Sequence, residues 1–80
     1  MYDYKPSPKV ERYIKKLKDK KLKKVFMDAI KKIRIDPSIG TAKKGDLAGC
    51  LGYDVSYEGI NYEIAYIIDE TEYQLLIIIF

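Results

Sequence analysis

The apolar residues of this chain change their spacing once, and that change restricts the architectures open to it. Up to Ile33 they follow a helical repeat; from Leu51 they follow the two-residue repeat of a strand. Val10, Tyr13, Ile14 and Leu17 fall at i, i+3, i+4 and i+7, and Leu22, Val25, Phe26, Ala29, Ile30 and Ile33 repeat the stripe further on. Ser7 before Pro8 supplies an N-cap and a proline at the first helical position, where its missing N–H costs nothing. Asp19 can cap the second helix, and Asp36-Pro37 ends it because proline disfavours helical geometry in the residue before it. The link between the two is too short to reach around a domain. An antiparallel helical hairpin is therefore predicted, with both apolar stripes on a common surface.

Residues 38–49 hold Gly40, Thr41, Ala42, Gly45 and Ala48 and read as a loop. Beyond it Leu51, Tyr53, Val55 and Tyr57 alternate with Gly52, Asp54 and Ser56, Glu58-Gly59 turns the chain, and Ile60, Tyr62, Ile64, Tyr66 and Ile68 resume the alternation. A second turn at 69–72 leads into 73–80, whose unbroken apolar ending suits a central strand covered on both faces. With residues 2–5 as an edge strand, the expectation is an α+β fold. An antiparallel sheet carries the N-terminal helical hairpin on one face, in the order β-α-α-β-β-β.

Eighty residues support one hydrophobic core and hence one domain over 1–80, with apolar residues plentiful enough, at 48%, to fill it. The apolar strand running to Phe80 also leads to the expectation that a C-terminal segment is missing from the chain, since a terminal carboxylate beside such a strand is unfavourable. No histidine and a single cysteine rule out the usual zinc sites, Ser-His-Asp triads and Cys-His pairs. No metal or other cofactor is expected. Cys50 has no partner for an internal disulfide and the chain opens on Met-Tyr-Asp, without a basic and then apolar leader, so a reducing cytoplasm is the expected compartment. The apolar run from Leu75 to Phe80 falls far short of a membrane span, and no membrane partner is expected.

Charge is divided as sharply as periodicity. Residues 1–44 carry all fifteen lysines and arginines against five acidic residues, a net +10, whereas residues 45–80 carry seven acidic residues and no basic one, a net −7. Such a division bears on partners and long-range fields. Lys15, Lys16, Lys23, Lys24, Lys31, Lys32 and Arg34 make the helices candidates for binding a nucleic-acid backbone, because each lysine set against a phosphate releases a counterion. A merely solvated face is the alternative. The stretch Gly40-Thr-Ala-Lys-Lys-Gly45 has the glycine spacing of a P-loop, but Asp46-Leu47 stands where Lys-Ser/Thr is required, which excludes nucleotide hydrolysis. Lys43 and Lys44 remain candidate phosphate contacts. Exposed tyrosines can stack on unpaired bases, but the alternation of Tyr53, Tyr57, Tyr62 and Tyr66 favours core packing. Asp54, Glu58 and Glu63 are expected to supply carboxylates near the same surface, where one could take a ribose hydroxyl proton, with ordinary solvent-facing strand positions as the alternative.

The lysine-rich hairpin closing on Asp36-Pro37 and Gly40, then Leu47-Ala-Gly49, Gly52-Tyr53-Asp54-Val55, Gly59 and Tyr62-Glu63-Ile64-Ala65-Tyr66, resembles the RelE/ParE superfamily of bacterial toxins over nearly the whole chain. The resemblance implies the toxin of a type II toxin–antitoxin system, with a cognate antitoxin as partner. In the RelE-like branch it implies an endoribonuclease that cuts messenger RNA on the ribosome and so inhibits translation. In the ParE-like branch it implies DNA gyrase as the target, and a third reading is a noncatalytic module that only binds its antitoxin. RNA cleavage is the leading expectation. Asp54 and Glu63 align where RelE-like members commonly carry arginine, so the catalytic residues stay open, with Glu58, Glu63 and Tyr62 as candidates.

Overall fold

The computed structural model describes residues 1–45 and 49–79, the last two of these in their backbone. Strand β1 (Asp3–Pro6) leads into α1 (Pro8–Lys16) and α2 (Lys20–Ile35), followed by a short 3-10 turn at Pro37–Ile39 and the strands β2 (Thr41–Ala42), β3 (Leu51–Tyr57), β4 (Ile60–Asp69) and β5 (Gln74–Ile79). Both helices start where their capping residues stand. The Ser7 hydroxyl accepts from the Val10 N–H at 3.3 Å, and Asp19 Oδ1 accepts from the N–H groups of Lys21 and Leu22 at 3.0 and 3.1 Å. Among the described residues no helix is long and apolar enough to cross a membrane.

The five strands form one sheet in the order β1-β5-β4-β3-β2. Turns join β3 to β4 and β4 to β5 as antiparallel neighbours, the first through Glu58 and Gly59, both at positive φ as a two-residue hairpin turn requires. The expected α+β architecture and element order are present, but the sheet is mixed, because β1 pairs with β5 in parallel. Orientation is not written in a local residue pattern. It is set by the Ser7 and Asp3 N–H groups, which donate to Ile77 and Tyr73 carbonyls, and by the Tyr2 N–H, which donates to the Arg34 carbonyl at 2.9 Å. The segment read as loop contains the short strand β2, paired to Gly52 and Leu51 of β3. Strand β5 is central, as expected, yet only one of its faces lies under helix. Leu75 and Ile77 are buried there, while Leu76 on the other face is half-buried, since the two helices of an 80-residue chain cover only one side of the sheet.

Phe26, Ile30 and Ile33 of α2, Val10 of α1, and Val55, Ile64, Tyr66, Leu75 and Ile77 of the sheet make the core between the layers. Tyr66 carries the one hydroxyl in that list and has no solvent exposure. Its phenol donates to the Pro37 carbonyl at 2.6 Å and accepts from the Gly40 N–H at 3.1 Å, so the buried group is satisfied and the exit from α2 is tied to the middle of β4. Gly40 has no Cβ, and one placed there would press on the Tyr66 ring. Burial holds the Tyr66 phenol above its ordinary value of 10.0, opposed by the Gly40 hydrogen bond and assisted by the charge of Asp36.

Two outcomes follow from this clamp. Tyr66→Phe removes a donor and an acceptor from part-buried partners and should cost about 1–3 kcal/mol in urea denaturation. The folded state keeps the phenol proton more tightly than the unfolded chain does. Its contribution is therefore intact below pH 10 and declines as pH rises through the folded value. The loss of stability above that pH should be shallower in Tyr66→Phe.

Candidate functional site

Leu51, Tyr53, Val55 and Tyr57 of β3 pack toward the helices, so Gly52, Asp54 and Ser56 lie on the other side of the sheet. Glu63 and Ala65 of β4 share that outer face, and the register sets Asp54 directly opposite Glu63. Opposed carboxylates repel. Lys43 offsets this: its Nζ lies 2.8 Å from both oxygens of Glu63. A methyl on Gly52 would meet Lys43 Cδ and Glu63 Oε2 at 2.9 Å each, so a bare backbone at Gly52 gives the pair room to lie against the sheet. Side-chain exposures of 27% for Lys43 and 38% for Glu63 leave the pair open to water, which limits its stabilisation to about 1 kcal/mol or less.

The other candidate groups are dispersed. Arg34 is half-buried: its Nε donates to the Tyr2 carbonyl at 2.6 Å, its Nη2 lies 3.8 Å from Asp3 Oδ1, and its guanidinium carbon stands 5.4 Å from the centre of the Tyr4 ring. It fastens β1 to the end of α2. Tyr62 meets Phe26 edge to face at 5.3 Å between ring centres, on the helix side of the sheet. Glu58 sits in the exposed hairpin turn at φ +50°. Beside it the Tyr57 hydroxyl donates to the Asp19 carboxylate at 3.2 and 3.3 Å, joining the hairpin tip to the start of α2. Desolvation, followed by the Asp19 hydrogen bond, raises the Tyr57 phenol above 10.0. The three candidate catalytic residues thus occupy a turn, the core side and the outer face, and form no common site.

The helical lysines Lys15, Lys16, Lys23, Lys24, Lys31 and Lys32 are all exposed, as is Lys44. Lys15 and Lys23 come together on the rim of a groove of about 280 Å³ between α1, α2 and β1, floored by Tyr4, Pro6, Ile14 and Met27. Lys32 borders a different groove, of about 300 Å³, between α2 and β3, with Val25, Ala29, Tyr53 and Val55 in its wall. The two grooves flank opposite sides of α2, as the helical spacing of Lys23 and Met27 against Val25, Ala29 and Lys32 requires. Among the described residues no group of three or more His, Cys, Asp or Glu side chains is placed to hold a metal ion.

A family model of the ParE-like toxin of type II bacterial toxin–antitoxin systems matches residues 4–80. The chain belongs to this family. Its fold is similar to that of a chain in the crystal structure of the intact E. coli RelBE toxin–antitoxin complex, with a TM-score of 0.77 over 98% of this chain and 92% of that one, at 13% identity. No curated protein matches the chain. In this ParE-like toxin the Leu47-Ala48 part of the family-like motif lies outside the described residues.

Spacing alone does not reveal the partners of Lys43 and Arg34. Each meets a group distant in sequence, Glu63 and Tyr2 respectively. Only the negative charge of the β3–β4 hairpin opposite a basic loop offered a signal for the first. A structural role for Arg34 predicts that Arg34→Ala loses about 1–2 kcal/mol in urea denaturation. Lys31→Ala and Lys32→Ala, on the solvated face, should stay within about 0.5 kcal/mol of the parent.

Proposed function

We propose that this ParE-like chain is the toxin of a type II pair, neutralised by a small antitoxin protein, and that it acts in the cytoplasm by binding its target without cutting RNA. Attack of a ribose 2′-hydroxyl on its own phosphate calls for a positioned proton acceptor beside cationic groups that stabilise the developing charge. The observation that carries the reading is the engagement of the candidates for those roles. Both oxygens of Glu63 are on Lys43, Tyr62 packs on Phe26, and Arg34 holds β1. DNA gyrase is then the proposed target, as the resemblance to the ParE-like branch implies, and membership of the ParE-like toxin family supports that branch.

Ribosome-dependent cleavage of messenger RNA is the second reading. The exposed lysines of both helices support it, since they suit a phosphate backbone. Expression with and without a matching antitoxin, combined with a supercoiling assay and primer extension on cellular transcripts, separates the two. Growth arrest relieved by the antitoxin, loss of gyrase supercoiling and no new transcript ends are expected. New transcript ends within translated codons, with supercoiling intact, would replace the first reading by the second.

A further inference from the structure

For most of its length β3 is an open edge of the sheet. Strand β2 pairs only with Leu51 and Gly52, and among the described residues no strand lies beside positions 53–57 on that side. The backbone groups left there can be identified. Tyr57 pairs with Ile60 across the two-residue turn, the Lys43 N–H donates to the Cys50 carbonyl on the β2 side, and the register between β3 and β4 runs unbroken from Leu51 to Tyr57. Successive residues of an antiparallel strand point their N–H and C=O groups to alternate sides, so Asp54 and Ser56 turn theirs away from β4 and toward the open edge. Both residues are exposed. Beside this edge lies the groove of about 300 Å³ between α2 and β3, walled by Val25, Ala29 and Val55 and lined from α2 by Asp28 and Lys32. A strand paired with the edge would also cover that groove.

We propose that this edge is a self-association surface, on which β3 of a second copy of the chain pairs antiparallel about a two-fold axis at Val55. The residues of β3 select both the occupant and the register. Centred on Val55, the pairing sets Asp54 of each copy opposite Ser56 of the other, so the outward N–H and C=O groups of both residues meet their complements. Centred on Asp54 it would oppose two carboxylates, and centred on Ser56 it would set Asp54 against Glu58 of the other copy, and like charges directly opposite repel. On the side facing the helices, Tyr53 then lies opposite Tyr57 of the other copy and Val55 opposite its own counterpart, which extends the core across the axis. Asp28 and Lys32, one helical turn apart, give the groove both signs of charge, and a two-fold copy meets them in reverse order. The assignment does not rest on which cellular target the toxin has.

Sedimentation equilibrium of the purified chain over a concentration series, at physiological ionic strength, tests this. A monomer–dimer equilibrium with a dissociation constant of about 10–100 µM is expected, because one strand pairing over a small groove buries less than a standard interface. Ser56→Lys sets an ammonium opposite Asp54 of the other copy, twice by symmetry, and should tighten dimerisation about two- to tenfold, whereas Ser56→Glu should weaken it by a similar factor. Combining Asp54→Lys with Ser56→Glu restores unlike charges in the same register and should recover at least the parent's affinity. Thr71→Lys, in the exposed turn before β5, adds the same charge away from the edge and should leave the constant within about twofold of the parent. A chain that stays monomeric up to about 500 µM would overturn the proposal, and a peptide strand of another protein bound to the edge of such a monomer would assign the surface to that partner instead. Equal constants in Ser56→Lys and Ser56→Glu would overturn it as well, as would a gain in Thr71→Lys matching that in Ser56→Lys.

Discussion

The buried phenol of Tyr66 is the constraint on which the surrounding structure depends. A hydroxyl at the centre of a sheet, beneath a helix and without exposure, is tolerable only with its hydrogen bonds made. Its partners are the Pro37 carbonyl and the Gly40 N–H, both on the segment where α2 gives way to strand. Satisfying one side chain thus fixes where the basic part of the chain passes over to the acidic part. From that point β2 runs antiparallel to β3 and delivers Lys43 over Gly52 onto the outer face of the sheet.

The division of charge along the sequence becomes a division in space, with one ion pair across it among the described residues. The helices present their lysines to solvent and the later strands carry the carboxylates, and Lys43–Glu63 bridges the two parts across the sheet. Arg34 works within the basic part, joining α2 to β1 through a backbone carbonyl, a carboxylate and an aromatic ring. Among the described residues, the cations without an ion-pair partner are thus mainly helical. On the described outer sheet face around Glu63, positive charge is already partnered. A polyanion therefore meets different conditions on the two sides of the molecule, attraction on one and competition with a carboxylate on the other.

Much of the fold was legible because its signals are local. Ser7 and Asp19 cap the helices they precede, Asp36-Pro37 ends the second, and Glu58-Gly59 turns the β3–β4 hairpin. Alternation placed Val55, Ile64 and Tyr66 on the core side and Asp54 and Glu63 on the other. The parallel pairing of β1 with β5 was not legible, because edge-strand orientation rests on backbone contacts between residues about seventy positions apart, such as Asp3 to Tyr73. The two-residue strand β2 escaped for a related reason: Thr41 and Ala42 have no apolar alternation, and only the edge of β3 makes them a strand. The candidate site was legible as a set of residue types and not as a set of neighbours.

The sequence by itself determined the two helices and the β3–β4 hairpin, which side of each meets the core, and that positive charge is confined to the first part. Those properties follow from the spacing of side chains along a single element and from capping groups within a few residues of the ends they cap. Tertiary structure alone decided which charges remain available. Lys43 and Arg34 look like any other cation in the chain until folding brings Glu63 and Tyr2 within hydrogen-bonding distance. An ion pair is a property of two positions in space, and nothing in the local pattern around either residue specifies the other.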